Sequence, residues 1–287
     1  MNRRFTRRLA SRREVNVKDR EDSLVRGRCG GALSVRDTGF AGGSALFRLA
    51  CDANPLARNR ERVLMTGLLD TQPGDNVLDV PAGIGYLADG FVRFSDQGPQ
   101  VVCVEPISSL AAAIDRRHFV LNAGLDSLPF PDSSMDRVGS LSGLIRLPER
   151  TDLFREVYRV LRPGGRFVIA EVQEDTPPAN FIDQVVRRYS CFAPNGKFPR
   201  SGELSTELSD LGFVHVREQH LACPWCFPDA QAMGNFCHSL FGMVDTDVQG
   251  VLRELRACLP VFSHRLGLFL GWSQVYAVGE KPLQDFE

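Results

Sequence analysis

The stretch VLDVPAGIGYLADGF, residues 77–91, decides how this chain is read. An apolar β-like run ends in Asp79, then Pro81, Gly83 and Gly85 follow, and an apolar helical pattern resumes at Tyr86. Glycine lets a ligand approach the backbone closely, and a helix that opens after such a loop presents free N–H groups. The loop is therefore built to cradle something polar. A second run, VVCVE, ends in Glu105, and an acid at the end of a second strand can accept two hydrogen bonds from a ribose diol. Two ligand classes fit at this point. Gly83, Gly85 and Ala88 match the dinucleotide spacing G-x-G-x-x-G/A, with Glu105 twenty residues past Gly85. Asp79 speaks against that reading: an anion four residues before the first glycine of the pattern repels a diphosphate and suits a ligand with an ammonium group.

Outward from this loop the chain alternates. Strand-like runs fall at 76–80, 101–105, 136–141, 166–172, 213–220 and 267–278, with helix-like stretches between most of them. That alternation predicts an α/β fold, a doubly wound, mostly parallel, Rossmann-like sheet of seven strands. Such sheets bind ligands at the C-terminal ends of their strands. The stretch 41–69 reads as helix with a break at Asn54-Pro55, and Leu56, Val63, Leu64, Leu68 and Leu69 are expected on one face. Two long connections, 173–200 and 221–265, are aromatic-rich and are expected to fold over the strand ends as a cap. The second should hold helices near 229–242 and 247–258.

Several motifs in order resemble one family, the class I methyltransferases that use S-adenosylmethionine (SAM), and in particular their small-molecule branch, which includes the ubiquinone/menaquinone methylases. The likeness covers roughly residues 56–172. It is carried by DVPAGIG, VVCVEP, AGLDSLPFPDSSMDRV and LFREVYRVLRPGGRFVIAEV. The resemblance implies SAM as cofactor. It implies that Asp79, Ala82, Gly83 and Gly85 surround the methionine portion, that Glu105 takes the ribose hydroxyls, and that Pro106 or Ile107 packs on the adenine. The backbone near Leu141 and Ser142 would hold the amino-acid end. Gly124 stands where the family often has an acid, so adenine contacts fall to Asp126 or to the Leu125 backbone.

Methyl transfer from a sulfonium is an in-line displacement, and a general base is needed only for a poor nucleophile. Candidate bases are His220 and His238, then His264, Tyr189 and Glu174. Cys223-Pro-Trp-Cys226 has redox spacing, but it sits late in an insertion and is expected to pack around Trp225 and Phe227. No metal site is expected. Helical spacing puts Met233, Phe236, Cys237, Leu240 and Phe241 on one stripe, which with Phe181, Tyr189 and Phe192 suggests an apolar or aromatic small-molecule acceptor. An RNA- or protein-directed methyltransferase and a nucleotide-dependent oxidoreductase are the alternatives. The segment after the fourth strand, Leu141-Ser-Gly-Leu144, lacks the Pro-Pro of nucleobase amino-group methylases.

Composition agrees with that picture. In 287 residues, 43% are apolar and 24% charged, with a formal net charge of -1, which excludes a polyelectrolyte binder and leaves nucleic acid unexpected. No apolar run reaches the roughly 18 residues of a membrane span. The eight cysteines are expected as reduced thiols of a cytoplasmic protein. Residues 1–40 open with six Arg and no acid in the first thirteen positions, and are expected to form a basic, disordered tail; an organelle presequence is the other reading.

Overall fold

The computed structural model describes residues 34–91, 98–147, 149–190 and 196–283. Most of the tail and Phe192 lie outside the described residues. Residues 34–40, expected in the tail, open helix α1 (Ser34–Ala53). The compact unit considered below begins at Thr38.

Seven strands form one sheet. They are β1 (Asn76–Asp79), β2 (Gln100–Val104), β3 (Phe119–Leu121), β4 (Met135–Leu141), β5 (Leu161–Glu171), β6 (Val214–Ala222) and β10 (Ser273–Glu280), in the order β3-β2-β1-β4-β5-β10-β6. Strands β3, β2, β1, β4 and β5 pair in parallel, and β10 is antiparallel to both its neighbours. The mostly parallel, doubly wound sheet expected from the alternation is present. The sheet reverses direction of build at β1, and ligands bind beside such a switch point.

Helices cover both faces, as β5 shows. Successive strand side chains point to opposite faces. Val168 and Ala170 pack with Met65 and Leu69 of α2 (Asn59–Leu69). Phe167 meets Phe154 of α4 (Thr151–Val160) edge to face at 5.5 Å. Helix α4 buries Leu153, Phe154, Val157 and Val160, one stripe at helical spacing.

Four local expectations need correction. The helix expected from Tyr86 is, among the described residues, a single 3-10 turn, Ala88–Gly90. The face of α2 is rotated: Leu56 and Val63 are 66% and 49% exposed, while Glu61, Met65 and Leu69 are buried, because Trp225 supplies a partner for Glu61. The Pro163-Gly164-Gly165 segment, read as the turn into β5, lies inside that strand, where the register against β4 shifts. The run 267–278 is two strands, β9 (Gly267–Leu270) and β10, parted at Gly271-Trp272 because they serve different sheets.

The two long connections carry structure of their own. The first holds α5 (Pro177–Phe181), a π turn (Ile182–Val186) and α6 (Arg187–Tyr189), before α7 (Glu203–Asp210). The second holds β7 (Trp225–Phe227), α8 (Ala230–Leu240), α9 (Val248–Cys258) and β8 (Val261–His264). Strands β7, β9 and β8 form a small antiparallel sheet that alternation did not reveal. Asp229 and Asp247 cap α8 and α9 by accepting from Ala232 N and Gly250 N, each at 2.7 Å.

Candidate functional site

Strand β1 ends at Asp79, whose carboxylate is 1% exposed and accepts from Ala88 N at 3.1 Å. The chain then turns through Gly83 and Gly85, both at positive φ (57° and 79°). A side chain at Gly85 would stand 2.8 Å from Ile114, whereas the space a Cβ would occupy at Gly83 is open. Glu105, just past β2 and 2% exposed, clamps the loop: Oε2 accepts from Gly83 N at 2.7 Å and Oε1 from Ile107 N at 2.9 Å. Arg48 of α1 holds the loop's outer side, donating to Ile84 O at 3.2 Å and Asp89 at 2.9 Å.

Burial pushes the Asp79 carboxyl well above its ordinary range, and the nearby charges of Glu105 and Asp89 add to this. Burial also raises Glu105, opposed by the Ile107 N–H, by Arg146 and by the Gly83 N–H. Among the described residues neither acid forms an ion pair. Two buried carboxylates without an ion-pair partner favour a positively charged ligand, whose arrival would lower the pKa of both.

Both acids open onto one cavity. Its far wall comes from the second long connection, through Trp225 of β7 and Phe241 just past α8, joined by Trp272 between β9 and β10. The indoles of Trp225 and Trp272 stack at 4.2 Å, and Phe241 lies 6.2 Å from Trp225. Trp225 Nε1 donates to Glu61 Oε1 at 2.6 Å, and Glu61 also holds Arg58, whose Nε donates at 2.8 Å. The Arg58 guanidinium lies 4.9 Å over Tyr86 and 5.5 Å over Trp225. It also donates to Ser142 Oγ at 3.3 Å, which receives Gln274 Nε2 at 2.6 Å. Ser142 itself sits at φ 54°, an uncommon conformation for a residue with a side chain, right after β4. A polar network thus ties the aromatic wall to the strand ends.

Glu171 ends β5 and lines the same cavity. It accepts from Leu144 N at 3.0 Å and Ile145 N at 3.1 Å, and from Val172 N at 2.9 Å. Burial raises its pKa to about 7 against these three N–H groups.

Of the residues singled out in the sequence, Asp79, Ala82, Gly83, Glu105, Pro106 and Leu141 line the cavity. Gly85 supports it from beneath, against Ile114. Leu125 and Asp126 do not line it; the Asp126 carboxylate lies back over Gly124. The candidate bases are also elsewhere. His220 is exposed on the edge strand β6, and His264 is exposed in the β8–β9 hairpin. His238 bonds Thr246 O at 3.1 Å, closing the α8–α9 connection. Tyr189 reaches Glu254 at 3.5 Å, and Glu174 pairs with Arg200 at 2.8 Å.

Within the helical stripe, Leu240 joins Phe241 at the cavity, while Met233, Phe236, Cys237 and Phe181 are core. Cys223 is buried and free beside Gln274, and Cys226 is a free thiol of β7. No group of His, Cys, Asp or Glu among the described residues could hold a metal ion. Sequence reasoning missed Arg58, Tyr86, Arg146, Glu171 and Trp272 as cavity residues. Only Glu171 carried a legible signal, as a charge at the C-terminal end of a predicted strand.

Known proteins were compared with the chain. Residues 78–169 match a family described as a methyltransferase domain. The methyltransferase GfsG of Streptomyces halstedii is 34% identical over 132 residues, which is 42% of this chain and 46% of that protein. The ubiquinone/menaquinone biosynthesis C-methyltransferase UbiE of Hahella chejuensis is 32% identical over 115 residues, covering 37% of this chain and 46% of the relative. This chain therefore spans about half the length of these curated relatives. Among solved structures, phosphoethanolamine N-methyltransferase 2 of Haemonchus contortus in complex with SAM superposes with a TM-score of 0.59 at 17% identity, over 88% of this chain and 61% of that one. No helix among the described residues is long and apolar enough to cross a membrane.

Proposed function

We propose, from the match of residues 78–169 to a methyltransferase domain, that this chain is a class I SAM-dependent methyltransferase and methylates a small, largely apolar or aromatic molecule. One observation carries the reading: the unpaired acids Asp79 and Glu105 share their cavity with the wall of Trp225, Phe241 and Trp272. SAM, when bound, supplies an electrophilic methyl group on a cationic sulfur. Asp79 and the Gly83 backbone would face its methionine end and Glu105 its ribose; the open space above Gly83 and the buried Asp79 carboxyl suit it. The connections 173–200 and 221–265 serve as a cap that excludes water, and their rings hold the acceptor's apolar part. Should the acceptor have to lose a proton, Glu171, titrating near neutrality, is the cavity group placed to receive it. Free thiols at Cys51, Cys103, Cys223, Cys226, Cys237 and Cys258 fit a reducing, cytoplasmic setting. A diphosphate would face Asp79, Glu105 and Glu171 together, which disfavours a dinucleotide.

The test is ligand-linked stability. SAM or S-adenosylhomocysteine at a hundred times its Kd should stabilise the folded chain by about 2.7 kcal/mol and raise its melting temperature. Asp79→Ala and Glu105→Ala should lose the shift while remaining folded by circular dichroism. A shift with NAD instead of SAM, or none with SAM, rejects the proposal.

A further inference from the structure

Two arginines line the cavity, and the fold treats them differently. Arg58 is committed to Glu61, to Ser142 and to two aromatic faces. Arg146 ends the 3-10 turn Leu144–Arg146 that follows β4. Among the described residues its guanidinium makes no hydrogen bond and no ion pair. Glu105 and Glu171 attract it only at longer range, and burial works against its charge. A guanidinium has five N–H donors and stays ionised in proteins. Leaving it partly desolvated without an acceptor is costly, so its arrangement makes physical sense only if something else supplies oxygen atoms.

The turn that carries Arg146 is fixed from two sides. Glu171 holds the Leu144 and Ile145 N–H groups, and Ile145 O accepts from Gly196 N at 2.8 Å. Gly196 belongs to the first long connection, and a Cβ there would stand 2.5 Å from Ile145 O. The cation is therefore presented by a braced turn, which lowers the ordering cost of binding to it. Its longer-range carboxylates are Glu105, just past the second strand, and Glu171, at the end of the fifth. The planar, forked donor set matches a carboxylate.

We propose that Arg146 is a specificity-determining anchor for a carboxylate on an otherwise apolar acceptor, with the Trp225–Phe241–Trp272 wall holding the rest of that molecule. This rests on the methyltransferase reading above and sharpens its substrate class. The anchor fixes the acceptor's orientation, so that the atom to be methylated is set by its distance from the carboxylate.

The experiment uses the full chain saturated with S-adenosylhomocysteine, titrated with matched probes: phenylacetate and indole-3-acetate against their neutral amides, followed by calorimetry. The carboxylates should bind at least about tenfold more tightly than the amides. Arg146→Gln should weaken the carboxylates about ten- to hundredfold, the range expected for hydrogen bonds to a charged group, and leave the amides unmoved. Arg146→Lys should keep part of the preference, and S-adenosylhomocysteine itself should bind both variants as it binds the native chain. Equal binding of acids and amides, including no binding of either, overturns the proposal. So does an Arg146→Gln variant that loses S-adenosylhomocysteine in step with the carboxylates, because Arg146 would then belong to the donor. Failure of S-adenosylhomocysteine to bind the native chain instead removes the methyltransferase reading itself.

Discussion

Glu171 does two things that pull against each other. Its oxygens organise the turn after β4, which favours the carboxylate, yet its burial favours the neutral acid and the balance lies near pH 7. The consequence for stability has a definite sign. In the unfolded chain this group releases its proton near its ordinary value of 4.5. Between there and about 7 the folded chain holds a proton that the unfolded chain has lost, so stability from this group declines as pH rises through that window. The full decline is about 3 kcal/mol, at about 1.4 kcal/mol per pH unit. Urea unfolding at pH 5 and pH 8 should show a steeper loss for the native chain than for Glu171→Gln, which cannot titrate there. Parallel losses in the two proteins would contradict the assignment. At this scale the convergence of Asp79, Gly83 and Glu105 on one cavity was legible in the sequence, because they stand at or just past strand ends in a fixed order. The acceptor half was not: Arg58 and Arg146 look like any surface arginine until the fold turns them inward.

Pairing between α2 and β7 ties the second long connection to the helix packed on the sheet. Glu61 and Trp225 are 164 positions apart in sequence and share a 2.6 Å hydrogen bond, with Arg58 completing the group. Trp225→Phe keeps a ring in the aromatic stack but leaves one Glu61 oxygen without its donor. The expected cost is about 1–3 kcal/mol, the penalty for an unsatisfied buried polar atom, read as a lower urea midpoint with an unchanged slope. Binding of S-adenosylhomocysteine should change less than twofold, since Asp79 and Glu105 are untouched. The same contact explains why the face of α2 was misjudged. Helical periodicity ranks Leu56 and Val63 above a glutamate for burial, and only a distant indole reverses the ranking. Elements whose burial is decided locally, such as α4, α8 and α9, were readable. Strands β7 and β8 were not, being three and four residues long, with β7 paired to a strand some forty residues on.

For the whole molecule, a mostly parallel sheet follows from alternation and from the rule that parallel neighbours need crossovers, whereas the strand order does not. What alternation cannot show is that the last strand of the sheet in chain order does not take an edge position. Strand β10 slots between β5 and β6, and its Gln274 donates to Ser142 at the cavity. This position sets a timetable. During synthesis, β1 through β5, with the whole donor loop, can pair as they leave the ribosome, while β6 has no neighbour to join until β10 emerges. Hydrogen exchange on ribosome-stalled chains that end before β10 should therefore protect the amides of β1 and β4 and leave those of β6 unprotected; protection of β6 in such a chain would contradict this order. On the proposed function, a partly made chain would already hold Asp79, Gly83 and Glu105 for the methyl donor but lack Trp272 and the final strand. The proposed acceptor chamber would then close only with the last strand to arrive, so a nascent chain could take up its donor before it has anywhere to deliver the methyl group.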